Sequence, residues 1–108
     1  MSKNMALIDL FCEQNQLTNL DVSNNTALES LNLGNNQLTN LDLINNTRLT
    51  HIDIQNNQFD AEALNNLFGM LHNNIIGGRS KGINIRNNSG AKTCDPDIAI
   101  GKNWTVLM

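Results

Sequence analysis

Between Leu17 and Phe59 the chain repeats one pattern of side chains four times, Leu-x-x-Leu-x-Leu-x-x-Asn, with Val or Ile admitted at the later apolar positions. The frames close on Asn25, Asn36, Asn46 and Asn57, spaced 11, 10 and 11 residues apart, and an earlier frame starting at Leu7 closes on Asn15. The alternation makes the structural period two frames, 21 residues. Repetition at such a period means a solenoid, because one repeat cannot bury its own apolar face and must stack on the next.

Within each frame the apolar pair two residues apart has the period of a strand, with the residue between them pointing outward. Ten residues cannot close a turn around a filled interior, whereas 21 can. Alternate frames are therefore expected on opposite sides of each coil, giving two small parallel sheets. The first takes residues 10–12, 31–33 and 52–54, and the second takes 20–22 and 41–43. Leucines at the frame starts fill the corners. The expected architecture is an α/β solenoid, mostly short parallel strands, of about four to five 21-residue coils.

Roughly a fifth of the chain is asparagine, far above ordinary usage, and much of it belongs to the frame. A closing amide sits where the chain turns away from its strand and can bond the backbone of neighbouring coils. Asn15, Asn25, Asn36, Asn46, Asn57 and Asn88 are expected to form such a structural ladder.

After Asn57 the pattern changes in an orderly way. Asp60 suits an N-cap, Phe59 and Leu64 suit a hydrophobic staple, and Leu64, Leu67, Phe68 and Leu71 make one apolar helix face. A single domain over 1–108 follows: regular repeats over 5–59, a helix over 60–73, a last strand over 82–88, and a C-terminal cap over 89–108. The loop before the last strand carries paired glycines. Asn88 closes a frame 31 residues after Asn57, one coil plus ten residues. In the cap, Asp95 and Pro96 read as N-cap and N1 of a short helix stopped by Gly101, and Trp104 and Val106 supply apolar cover. No matching cap precedes Leu7, so Leu7, Leu10 and Cys12 are expected to offer core side chains and a strand edge to water.

The net charge of −3 leaves no basic patch with which to grip a nucleic acid or an anionic membrane. No stretch is long enough to span a bilayer, so no membrane insertion is expected. The opening residues lack the basic and apolar runs of a signal peptide. Cys12 and Cys94 fall several coil steps apart, beyond disulfide reach, and two free thiols are expected.

The 21-residue repeat from Leu7 to Leu28, together with DAEALNNLF, INIRNN, TCDPDIA and KNWTV in the tail, resembles bacterial leucine-rich repeat proteins, especially those of Bacteroidetes, with their C-terminal cap. The resemblance implies a leucine-rich repeat solenoid that binds proteins or other macromolecules, commonly at the cell surface or outside the cell.

Outward residues of the first sheet form a grid that includes Asp9, Phe11, Glu13, Ser30, Asn32, His51, Asp53, Gln55, Asn84 and Arg86. This flat polar face is the candidate surface for a protein partner, with Phe11 either an aromatic anchor for it or a side chain that folds over the uncovered N-terminal coil. Catalysis is not expected: His51 lies beside Asp53, but no outward Ser or Cys joins them and a flat sheet encloses no pocket. His72, at the end of the helix, reads as a favourable contact with the helix dipole. Asp21 and Asp42 stack on the second sheet without the glycine-rich nonapeptide of calcium-binding repeats, and no metal or cofactor is expected. The alternative is a self-associating segment of a longer surface protein, forming a homodimer through its uncapped N-terminal coil.

Overall fold

The computed structural model describes residues 7–108. The apolar pairs of every second frame form strands β1 (Asp9–Phe11), β2 (Ser30–Asn32) and β3 (His51–Asp53), followed by helix α1 (Ala61–Met70), β4 (Lys81–Asn84), helix α2 (Asp97–Ile100) and β5 (Trp104–Leu107). All five strands make one parallel sheet in chain order. Leu10, Leu31, Ile52, Ile83 and Val106 stand in one inward row, and Phe11, Asn32, Asp53, Asn84 and Leu107 in one outward row. The expected strands lie within a residue of these, and the fold is a leucine-rich repeat solenoid of parallel strands.

The second sheet does not form. Residues 20–22 and 41–43 run without strand pairing because each segment turns at once: Asn25 N–H bonds to Val22 O at 2.9 Å and Asn46 N–H to Leu43 O at 3.0 Å. Asp21 and Asp42 begin the turn by accepting from the N–H two residues on, at Ser23 and Ile44. Side chains replace the missing backbone ladder, with Asn46 Nδ2 donating to Val22 O and Asn25 O of the preceding coil.

On the strand side the closing amides work in three directions. Asn36 donates to Leu33 O in its own coil and to Cys12 O in the coil before, and its Oδ1 accepts from Leu17 N–H. Asn57 repeats this with Ile54, Leu33 and Leu38, and Asn88 with Ile85, Ile54 and Phe59. The ten inserted residues therefore bulge outward and leave the amide column in step. Asn15, in the first coil, is exposed and bonds only within its own coil. The residue before each closing amide on this side, Gln14, Asn35, Asn56 and Asn87, has φ between 57° and 61°. Asparagine tolerates that left-handed conformation best after glycine, which accounts for the Asn-Asn doublets there.

Helix α1 ends earlier than residue 73, at Met70, with Asp60 as its N-cap accepting from Ala63 N–H at 2.8 Å. Phe59, Leu64, Leu67 and Phe68 are buried beneath it. Its C-terminal carbonyls are met by Lys102, whose Nζ donates to Gly69 O and Leu71 O at 2.7 and 2.9 Å. A lysine, and not His72, thus supplies the cation that the helix end favours. The short cap helix begins at Asp97, one residue later than expected, and Asp95 still accepts from Asp97 N–H. Beyond it, residues 104–107 do more than cover the last coil, since they pair with β4 as a fifth strand. The last regular frame strand is shorter than expected, 81–84, because Asn84 Oδ1 accepts from Arg86 N–H and turns the chain.

His72 is a structural residue. Asn74 N–H donates to its Nδ1, so Nε2 carries the proton and donates to Leu49 O at 2.7 Å. Its ring meets Trp104 edge-on at 5.5 Å between centroids, and Trp104 Nε1 donates to His72 O. Lys81 is buried beside them, with Nζ donating to Asn74 O and Lys102 O and lying 5.4 Å from the Trp104 ring centre. Burial, aided by the charges of Lys81 and Lys102, pushes the His72 pKa down, against the pull of the Leu49 bond. An imidazole whose folded pKa lies below its unfolded value binds its proton more readily in the unfolded chain, so its contribution is lost as pH falls from about 6.5. The urea midpoint is expected to drop between about pH 7.5 and about pH 5.5, with His72→Gln flattening that slope. An unchanged slope in His72→Gln would refute the assignment.

Both cysteines are free thiols and half-buried. In the first coil Leu10 is buried at 5% exposure, while Leu7, Cys12, Leu17 and Leu20 pack partly against the core. The core side chains of that coil are thus less open than expected, and the part of the first repeat before Leu7 lies outside the described residues.

Candidate functional site

The outward face of the sheet is built by the same turns that end its strands. Asn32, Asp53 and Asn84 each accept, through Oδ1, the N–H of the residue two places on, at 3.1, 3.0 and 3.1 Å. These bonds hold three side chains upright in one row at about the 4.8 Å strand spacing. The amide nitrogens of Asn32 and Asn84 make no hydrogen bond among the described residues, and the Asp53 carboxylate between them also accepts weakly from Gln55 Nε2 at 3.3 Å. The row thus presents donor, acceptor and donor in a fixed order.

Apolar side chains bound the row: Phe11 is 61% exposed at one end and Leu107 is 41% exposed at the other. The parallel row beside it reads Asp9, Ser30, His51, Gly82 and Thr105. Gly82 leaves a gap after His51. The face is therefore not flat: a shallow groove of about 350 Å³ runs across it, lined by Phe11, Ser30, Asn32, His51, Asp53, Gly82, Asn84 and Leu107, with the strand cores of Leu31 and Ile52 beneath.

Of the residues expected on this surface, Phe11, Ser30, Asn32, His51, Asp53 and Asn84 meet in the groove. Asp9, Glu13, Gln55 and Arg86 lie outside its lining. His51 Nδ1 contacts Thr50 Oγ1 at 3.1 Å, a bond that orients the ring along the groove wall. Leu107 was not anticipated, because β5 was read as apolar cover. Its signal was the alternation of Trp104 and Val106 with outward Thr105 and Leu107.

The opposite side of the coil offers a different surface. Asp21 Oδ1 accepts both the N–H and the hydroxyl of Ser23, and that pair of bonds holds its carboxyl below the usual range. Among the described residues no group of three or more His, Cys, Asp or Glu side chains converges as metal ligands would. No helix among them is long and apolar enough to cross a membrane.

Residues 26–67 match the family model described as Leucine Rich repeats (2 copies), a stretch that spans the central coils and most of α1. No curated protein and no solved structure matches the chain.

Proposed function

We propose that this chain is a non-catalytic protein-binding module whose sheet face receives an extended segment of a partner protein. Leucine-rich repeats generally mediate protein–protein interaction, and what supports placing it here is the groove between Phe11 and Leu107, with its fixed row of Asn32, Asp53 and Asn84. An extended backbone carries alternating donors and acceptors, which such a row can meet without reordering, so little entropy is lost on binding. The net charge of −3 disfavours nucleic acid as the partner. Following the sequence resemblance, the reading places the protein at the bacterial cell surface or outside the cell.

The test is capture from an extract of the source cells on immobilised protein. Phe11→Ala combined with Asp53→Lys is expected to reduce capture at least about tenfold, as loss of an aromatic anchor does, while Asp42→Lys on the opposite side leaves it intact. Equal capture by all three proteins would refute the sheet face as the site.

A second reading, self-association through the first coil, is favoured by β1 standing, among the described residues, at the edge of the sheet with Phe11 and Ile8 exposed beside it.

A further inference from the structure

Among the described residues the sheet has two edge strands, β1 and β5. Four of the most exposed large apolar side chains lie on or beside them: Ile8 (49%) and Phe11 at one edge, Leu107 and Met108 (62%) at the other. In the outward row that runs from Phe11 to Leu107, the three interior positions are Asn or Asp, and only the two ends are apolar. Phe11 also departs from the frame, since in the later coils its position holds the side chain that ends the strand.

The coil-to-coil hydrogen bonds follow one rule along the sheet. Cys12 N–H donates to Asn32 O, Leu33 to Asp53 O, Ile54 to Asn84 O and Ile85 to Leu107 O, all between 2.8 and 3.0 Å. One more step would set Met108 N–H against the carbonyl of a residue in the place of Phe11. At the strand starts Ser30 N–H donates to Ile8 O, His51 to Glu29 O and Gly82 to Thr50 O. The next step there would set the N–H of a residue in the place of Asp9 against Trp104 O.

We propose that copies of this chain assemble head to tail, β5 of one pairing in parallel with β1 of the next. In this arrangement Leu107 lies beside Phe11 in the outward row, Val106 beside Leu10 in the inward row, and Trp104 beside Ile8. The proposal rests on the second reading above and gives it a different partner: the first coil meets the last coil of another copy, not a second first coil. Charge agrees with that choice. Residues 7–28 carry three carboxylates and no Lys or Arg, whereas residues 86–108 carry three cations against two carboxylates. Two first coils would set like charges together, whereas the last coil carries no such excess of negative charge and leaves the contact free of that repulsion. Because the contact joins different surfaces, it leaves a free edge at each end and grows as an open series. Strands of three and four residues keep each contact weak and the series dependent on concentration.

Sedimentation velocity on the purified chain tests this. The average mass of the wild type is expected to rise through dimer to higher species as concentration increases. Phe11→Asp and Leu107→Asp should each be monomeric alone, since each spoils one edge. Mixed together they should form a heterodimer and stop there, because one intact β5 meets one intact β1 and the remaining pair sets Asp against Asp. Ile8→Asp, outside the groove lining, should also give a monomer while keeping partner capture, which separates this proposal from the binding reading. A wild type that stays monomeric at the highest concentration overturns the proposal. So does Leu107→Asp that still dimerises alone, which would mean contact between two first coils.

Discussion

Gly90→Ala is expected to cost about 3 kcal/mol or more, the upper end for overpacking a filled site, and to unseat the C-terminal cap from the helix. A Cβ at this position would lie 2.1 Å from Ala61 N and from Asp60 C, and 2.6 Å from Ala61 Cα. All three are backbone atoms at the start of α1, so no rotamer change relieves the clash. The same contact is tied by hydrogen bonds: Gly90 N–H donates to Phe59 O, Ser89 Oγ bonds the same carbonyl, and Phe59 N–H donates to Asn88 Oδ1. Moving α1 outward would break these bonds and uncover Phe59, which is fully buried. Gly69→Ala is the control. Its Cβ would meet nothing within 4 Å, and replacing a helical glycine should stabilise by about 0.8–1.0 kcal/mol. Urea midpoints moving in opposite directions for the two variants would bear out the packing; a Gly90→Ala midpoint equal to wild type would refute it.

Asn88→Ala should cost about 3 kcal/mol, because it removes four side-chain bonds and orphans two buried backbone groups at about 1–3 kcal/mol each. Phe59 N–H would lose its acceptor and Ile85 O its side-chain donor, while Ile54 O would keep the amide of Asn57. Asn57→Ala should cost less. Its loss orphans Leu38 N–H, but Leu33 O keeps Asn36 and Ile54 O keeps Asn88. Asn88→Asp adds a sharper comparison, since a carboxylate can still accept from Phe59 N–H yet faces two carbonyls that it cannot serve. It should be less stable than Asn88→Ala near neutral pH and recover toward it in acid as the carboxyl gains a proton. Equal stability of Asn57→Ala and Asn88→Ala would contradict the order of these costs.

Most of the strand side was legible in the residues. The two-residue spacing of Leu31 with Leu33 and of Ile52 with Ile54 locates the strands, and the 31-residue gap to Asn88 locates the fourth in register with His51 and Asp53. The opposite side misled because Leu20 with Val22 and Leu41 with Leu43 have the same spacing. Apolar period reports which side chains point inward, and a chain that turns at once after Val22 or Leu43 satisfies it without a ladder. Even there the signal was present, since Asp21 and Asp42 are residues that bond their own backbone two places on. The groove was hidden for a related reason. Its polar row could be read residue by residue, but the gap at Gly82 and the wall at Leu107 appear only when β4 and β5 are laid side by side. His72 shows the limit of local reasoning: the helix end predicts a cation, and Lys102, thirty residues away in the sequence, reaches it first.

The most direct test of the binding reading is photo-crosslinking from single sites on the two sides of the coil. A photoreactive residue placed at Ser30, in the groove lining, and one placed at exposed Asp42, on the other side, would be compared in the source-cell extract. A partner joined from position 30 and not from position 42 is the predicted result. A partner joined only from position 42 would place recognition on the side without strands and contradict the account.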